Sequence, residues 1–158
     1  MSTPRDLVVL ECRQLAPDLV GALTAFFVAL RGNAEGLRFH PHPLTAEEAA
    51  ARCHYKGKDL YYVLIESGQI LGYGMLRGWD AGHEIPSLGI AIHPGARGAG
   101  LGRLLMQFLH VAAKRRNVSK VRLKVYPDNQ GALSLYRQLG YRFETEEAGQ
   151  LVGWVDIR

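Results

Sequence analysis

The chain is poor in cysteine, with only Cys12 and Cys53 among 158 residues. Neither belongs to a Cys-x-x-Cys pair, so no zinc site is indicated, and the reduced thiols of a cytoplasmic protein are the expectation. Long apolar runs are also missing. The longest, Leu19 to Leu30, is broken by Gly21 and Thr24 and falls short of the roughly 20 residues that cross a bilayer as a helix. The opening residues, Met1 to Asp6, contain no basic segment followed by an apolar one, so neither a secretory signal nor membrane association is expected. Repeats, low-complexity tracts and long linkers are absent as well. At 47% hydrophobic and 22% charged residues, the composition excludes collagen-like, disordered and disulfide-scaffold proteins. One domain over residues 1–158 is expected, long enough to bury a core unaided.

Acidic residues are missing from one long stretch. From Arg97 to Lys124 there is no Asp or Glu, while Arg97, Arg103, Lys114, Arg115, Arg116, Lys120, Arg122 and Lys124 supply eight positive charges. Such a block favours an anionic partner, although a solvated helix face explains Lys114 to Arg116 equally well. No aromatic residue is interleaved with the charges from Lys114 to Lys124. Base stacking on a nucleic acid therefore has no support, and a basic nucleic-acid-binding module is only the alternative.

Apolar periodicity orders the remainder. Leu7 to Leu10 reads as a first strand. Pro17 suits the start of a helix carrying Leu19, Leu23, Phe26, Phe27 and Leu30, which ends at Gly32 or Asn33. Residues Gly36 to Pro43 are loop-like. Thr45 with Glu48 is a capping box opening a short helix to Cys53. Tyr61 to Glu66 and Ile70 to Leu76 form a hairpin around Ser67-Gly68. Ser87 to Ile92 is a strand, Leu101 to Ala112 a helical stripe, and Val121 to Val125 a strand. Asn129 to Leu139 is a helix closed by Gly140, and two strands, Tyr141 to Thr145 and Leu151 to Ile157, finish the chain. This order predicts an α/β fold, a mixed sheet with helices on both faces.

The segment from strand Ser87–Ile92 into the next helix is the densest in glycine. Gly98, Gly100 and Gly102 permit close approach of a ligand to the backbone. The helix N-terminus, Arg97 and Arg103 add positive potential, and together they describe a pyrophosphate cradle. A Walker A loop is excluded because Gly102 is followed by Arg103-Leu104. The dinucleotide pattern G-x-G-x-x-G fails because Arg103 stands where its last glycine belongs.

Arg97-Gly98-Ala99-Gly100-Leu101-Gly102 resembles the R-x-x-G-x-G signature of the GNAT superfamily of acyl-CoA-dependent N-acetyltransferases. Asn129 to Ala132, continuing through Leu135-Tyr136 to Gly140-Tyr141, resembles that family's second motif, N-x-x-A-x-x-L-Y-x-x-x-G-[FY]. The resemblance implies a single-domain GNAT-like fold with a mostly antiparallel central sheet. It implies acetyl-CoA as acetyl donor and a primary amine as acceptor, in a monomer or homodimer.

Carried over residue by residue, the backbone of Arg97, Gly98, Ala99, Gly100, Leu101, Gly102 and Arg103 would bind the CoA pyrophosphate. The backbone of Leu88, Ile90 and Ile92 would pair with the pantetheine arm, while the side chains of Ile90 and Ile92 can pack in the core at the same time. Asn129 would contact CoA, with a helix cap as its competing use. Tyr136 would protonate the departing thiolate, with simple packing as the alternative. Many relatives carry an acid within the fourth strand, and Ser87 to Ile92 has none. Glu84 is then the nearest candidate base, ahead of His83, Asp80, His40, His42 and bulk water. Phe39, His40 and His42 sit on a loop expected to border the acceptor, and Trp79 would form a wall there or merely pack at the hairpin end. No third ligand accompanies His40 and His42, so no metal is expected. A non-catalytic acyl-CoA sensor is the other alternative, which Asn129 and Tyr136 argue against.

Overall fold

The computed structural model describes residues 7–33, 36, 38, 39 and 41–157. Its strands are β1 (Leu10–Gln14), β2 (Leu60–Glu66), β3 (Gln69–Arg77), β4 (Ser87–Ile92), β5 (Lys120–Val125), β6 (Arg142–Glu147) and β7 (Gln150–Asp156). They form one sheet in the order β1-β2-β3-β4-β5-β7-β6. Every neighbouring pair is antiparallel except β4 and β5. The α-helices among the described residues include α1 (Val20–Arg31), α2 (Ala46–Cys53), α3 (Leu101–Arg115) and α4 (Gln130–Gln138).

Local chemistry accounts for most of these boundaries. Pro17 opens a short 3-10 turn that runs into α1, and Gly32 closes that helix. The Thr45 hydroxyl accepts the Glu48 N–H at 3.1 Å, capping α2. Glu48 does not complete a reciprocal box; its carboxylate lies 3.2 Å from Arg52 one turn on. Ser67 and Gly68, both at positive φ, turn the β2–β3 hairpin. The first strand is a correction: β1 begins at Leu10, and the apolar residues Leu7 and Val9 before it are 66% and 62% exposed. β1 is an edge strand whose residues are almost all exposed, so apolar content does not mark it.

The core forms two layers, one on each face of the sheet. On one face α1 and α2 supply Leu23, Phe26, Phe27, Leu30 and Ala49 against Tyr61, Val63, Tyr73 and Met75. On the other, Leu105, Met106 and Leu109 of α3 and Leu133 and Tyr136 of α4 pack on Leu76, Leu88, Val121, Leu123 and Val125. Gly74 lets α3 sit this close. A Cβ there would lie 2.9 Å from Leu109 Cδ1 and 3.0 Å from Leu105 Cγ. Gly74→Val is therefore expected to destabilise the protein by about 1–3 kcal/mol through overpacking, read as a lower denaturant midpoint with an unchanged slope.

Candidate active site

The parallel strands β4 and β5 meet at a single register position, Ser87 opposite Arg122, where the Arg122 N–H donates to the Pro86 carbonyl at 3.0 Å. Beyond that rung the two strands part. A cleft of about 400 Å³ occupies the gap. Leu88, Gly89, Ile90 and Ala91 of β4 form one wall, and Arg122, Lys124 and Val125 of β5 form the other. Tyr126, Asn129 and Tyr136 border it from the β5–α4 segment, and Arg38, Phe39 and Pro41 from the loop after α1. Alternation explains how a sheet interior can be so polar. Val121, Leu123 and Val125 point into the α3–α4 core, which places Arg122 and Lys124 on the opposite face.

From β4 the chain passes through a 3-10 turn, Pro94–Ala96, into the glycine loop. Gly98 and Gly100 have φ of +78° and +81°, the left-handed region that glycine enters without penalty. A Cβ at either position would meet nothing within 4 Å, so the protein itself leaves open space there. Gly100 is the N-cap of α3 and offers no side chain to the first-turn N–H groups. These donors and the helix dipole suit a phosphate oxyanion. Arg103 on that turn bonds the Gln138 side chain and so ties α3 to α4. None of residues 97–103 lines the cleft itself; β4 connects the two.

Tyr136 is 8% exposed and forms part of the cleft wall. Its ring lies 5.9 Å from that of Tyr141, whose hydroxyl shares a 2.7 Å hydrogen bond with His110. Burial raises the Tyr141 phenol well above its ordinary pKa and lowers that of His110. Asn129 caps α4, its Oδ1 accepting the Ala132 N–H at 3.4 Å, and it also borders the cleft.

Several residues singled out above lie elsewhere. Glu84 is exposed and outside the cleft lining; the acid nearest in sequence to β4 sits in the bend that precedes the strand. Trp79 is also outside, packed on the α3-side core beneath the Arg116 guanidinium, 4.5 Å from the ring centroid. His42 is buried in the α1 layer. Its Nδ1 donates to the Pro43 carbonyl at 2.7 Å, and Nε2 accepts from the Tyr73 hydroxyl at 2.8 Å. Burial holds its pKa below the usual value, as befits a neutral core histidine. Ile92 packs on the α3-side core and is not in the lining, whereas Phe39, Leu88 and Ile90 are. His40 lies outside the described residues. No cluster of three metal-ligating side chains occurs among those described, and none of their helices is long and apolar enough to cross a membrane.

Four cations border the cleft that sequence reading had not assigned to a site: Arg38, Arg77, Arg122 and Lys124. The alternation of Arg122 and Lys124 with Val121, Leu123 and Val125 was a usable signal. Nothing local marks Arg38 or Arg77. Glu147 stands over the β5 pair, 2.9 Å from Lys124 and 3.4 Å from Arg122. The Lys124 hydrogen bond chiefly holds its carboxyl below the usual range.

The overall fold is shared with solved acetyltransferases. An acetyltransferase of the GNAT family from Streptococcus pneumoniae superimposes with a TM-score of 0.79 at 20% identity, covering 95% of this chain and 100% of that one. The PaiA N-acetyltransferase of Thermoplasma acidophilum, solved in complex with coenzyme A, gives 0.77 at 14% identity over 94% and 99% of the two chains. In sequence, the mycothiol acetyltransferase of Rhodococcus jostii is 32% identical over 132 residues, 75% of this chain and 43% of that protein. The chain spans about half the length of the curated relatives it matches. The Acetyltransferase (GNAT) family model matches residues 23–141, and the chain belongs to this family.

Proposed function

We propose that the protein transfers the acetyl group of acetyl-CoA to a primary amine by direct attack. One observation carries this reading: the strand that borders the β4–β5 gap leads, through the Pro94–Ala96 turn, to the uncapped glycine entry of α3, while Tyr136 stands in the wall of the same gap. Backbone N–H groups of residues 97–103 hold the pyrophosphate. The β5-facing backbone of β4 beyond Ser87 pairs with the pantetheine arm, and its N–H groups polarise the thioester carbonyl as charge develops there. The amine nitrogen bonds to the carbonyl carbon, the C–S bond breaks, and Tyr136 gives its proton to the departing sulfur. Asn129, besides capping α4, contacts the donor.

The amine must arrive neutral, and an isolated alkylammonium is neutral in only about one part in a thousand at pH 7. Among the described residues that line the cleft there is no Asp or Glu, and four are cations. Like charge disfavours the ammonium form, so the cations assist its deprotonation and water takes the proton. Glu84, at its exposed position, reaches the cleft only through solvent.

Acetyl-CoA at about 100 times its dissociation constant is expected to add about 2.7 kcal/mol to stability, a rise of roughly 5–10 °C in Tm for a chain of this size. Release of CoA thiol on addition of an amine panel then tests transfer. A Tm unmoved by millimolar acetyl-CoA overturns the reading.

A further inference from the structure

Resting on that reading of the cleft, we infer that the acceptor carries, besides its amine, a negatively charged carboxylate or phosphate, held by Arg122 and Lys124 with Arg77 and Arg38 beside them. The argument begins with faces. Leu88, Ile90, Val121, Leu123 and Val125 all belong to the core beneath α3 and α4, the side on which the glycine loop enters its helix. Arg122 and Lys124 alternate with these residues and face the other side. Arg77 follows Leu76 of the same α3-side core, so it too points away from the glycine loop. Its guanidinium bonds the Pro41 carbonyl, which draws the loop carrying Arg38 and Phe39 over this face. The cationic mouth is therefore on the opposite face from the pyrophosphate cradle, and the donor's phosphates do not account for it.

The cations are only partly neutralised within the protein. Arg38 pairs with Asp128 at 3.1 Å. Glu147 is a single carboxylate divided between Arg122 and Lys124. Arg77 gives to an uncharged carbonyl. Neither Asp128 nor Glu147 lines the cleft, so among the described residues four positive groups face it with two carboxylates paired to them from outside the lining. The Arg122 Nε is, moreover, buried without a hydrogen-bond partner, an uncompensated cost that is rare in a settled structure. Its guanidinium carbon stands over Trp154, 5.3 Å from the ring centroid. An arginine restrained by these contacts loses less freedom when its planar fork takes an oxyanion.

The test separates this site from the transfer reaction. Protein saturated with CoA is titrated with inorganic phosphate, glutarate and the neutral glutaramide, followed by Tm and by backbone amide shifts. Saturable binding of phosphate or glutarate, absent for glutaramide and weakened at least tenfold by Lys124→Gln or Arg122→Gln, is expected. The anion that binds distinguishes a phosphate-bearing from a carboxylate-bearing acceptor. Lys124→Gln serves if Arg122→Gln fails to fold, since Lys124 lies at the rim. Thiol release is then compared for glucosamine 6-phosphate against glucosamine, and for 4-aminobutyrate against 4-aminobutanamide. The charged member of the pair that matches the bound anion should lead by tenfold or more in kcat/KM, and Lys124→Gln should reduce that lead through KM. No anion binding, binding indifferent to both substitutions, or a matched pair in which the neutral member does as well overturns the inference. If CoA fails to bind while phosphate or glutarate binds and responds to Lys124→Gln, the transfer reading falls and the anion site stands.

Discussion

Gly100→Asp is expected to weaken acetyl-CoA binding a hundredfold or more while barely disturbing the fold. A Cβ at Gly100 meets no atom within 4 Å, so the only cost to folding is the left-handed backbone, about 1–2 kcal/mol for an ordinary residue and less for Asp. The cost to binding is larger. A carboxylate about 5 Å from one pyrophosphate charge, at an effective dielectric near 20, is repelled by about 3 kcal/mol, or some two orders of magnitude in affinity. Gly100→Asn separates the causes, because Asn enters the same backbone region without charge. Calorimetric titration with acetyl-CoA should rank wild type first, Asn next and Asp last, with denaturant midpoints close together. Normal affinity in the Asp variant would mean that the pyrophosphate binds elsewhere.

Tyr136→Phe is expected to slow acetyl transfer by about 100- to 10,000-fold, the usual worth of a positioned general acid, with acetyl-CoA affinity nearly unchanged. The substitution keeps the ring that packs beside Leu133 and Tyr141 and removes only the hydroxyl. Loss in the chemical step at constant affinity marks an interaction made in the transition state. Single-turnover measurement with a rapidly consumed amine is the appropriate readout, since slow product release would mask the effect. Equal single-turnover rates would assign thiolate protonation to water and leave Tyr136 as a packing residue.

Elements defined by local chemistry could be read from the chain. Ser87–Ile92 alternates cleanly and matches β4 residue for residue, Thr45 caps α2, and Asn129 with Gly140 brackets α4. β1 escaped because a strand at the sheet edge needs no apolar pattern. The site divides the same way. Its glycine loop and Tyr136 lie in motifs whose spacing survives in one dimension. Arg38 and Arg77 are brought to β5 by the sheet order and by a bond to Pro41, 36 residues from Arg77 along the chain. Long-range placement of this kind leaves no periodic trace. His42 and Trp79 misled in the opposite sense, because a polar or aromatic side chain on a loop looks available until its burial is known.

The single rung between Ser87 and Arg122 has a mechanical consequence. It divides the sheet into a block of β1 to β4 and a block of β5 to β7, sewn together by one stitch and glued elsewhere by the side chains beneath α3 and α4. Side-chain packing yields to small rotations more readily than a ladder of hydrogen bonds does. The two blocks are thus jointed at Ser87, as a pair of tongs is jointed at its pin, and a small rotation about that rung would widen or narrow the jaws between them.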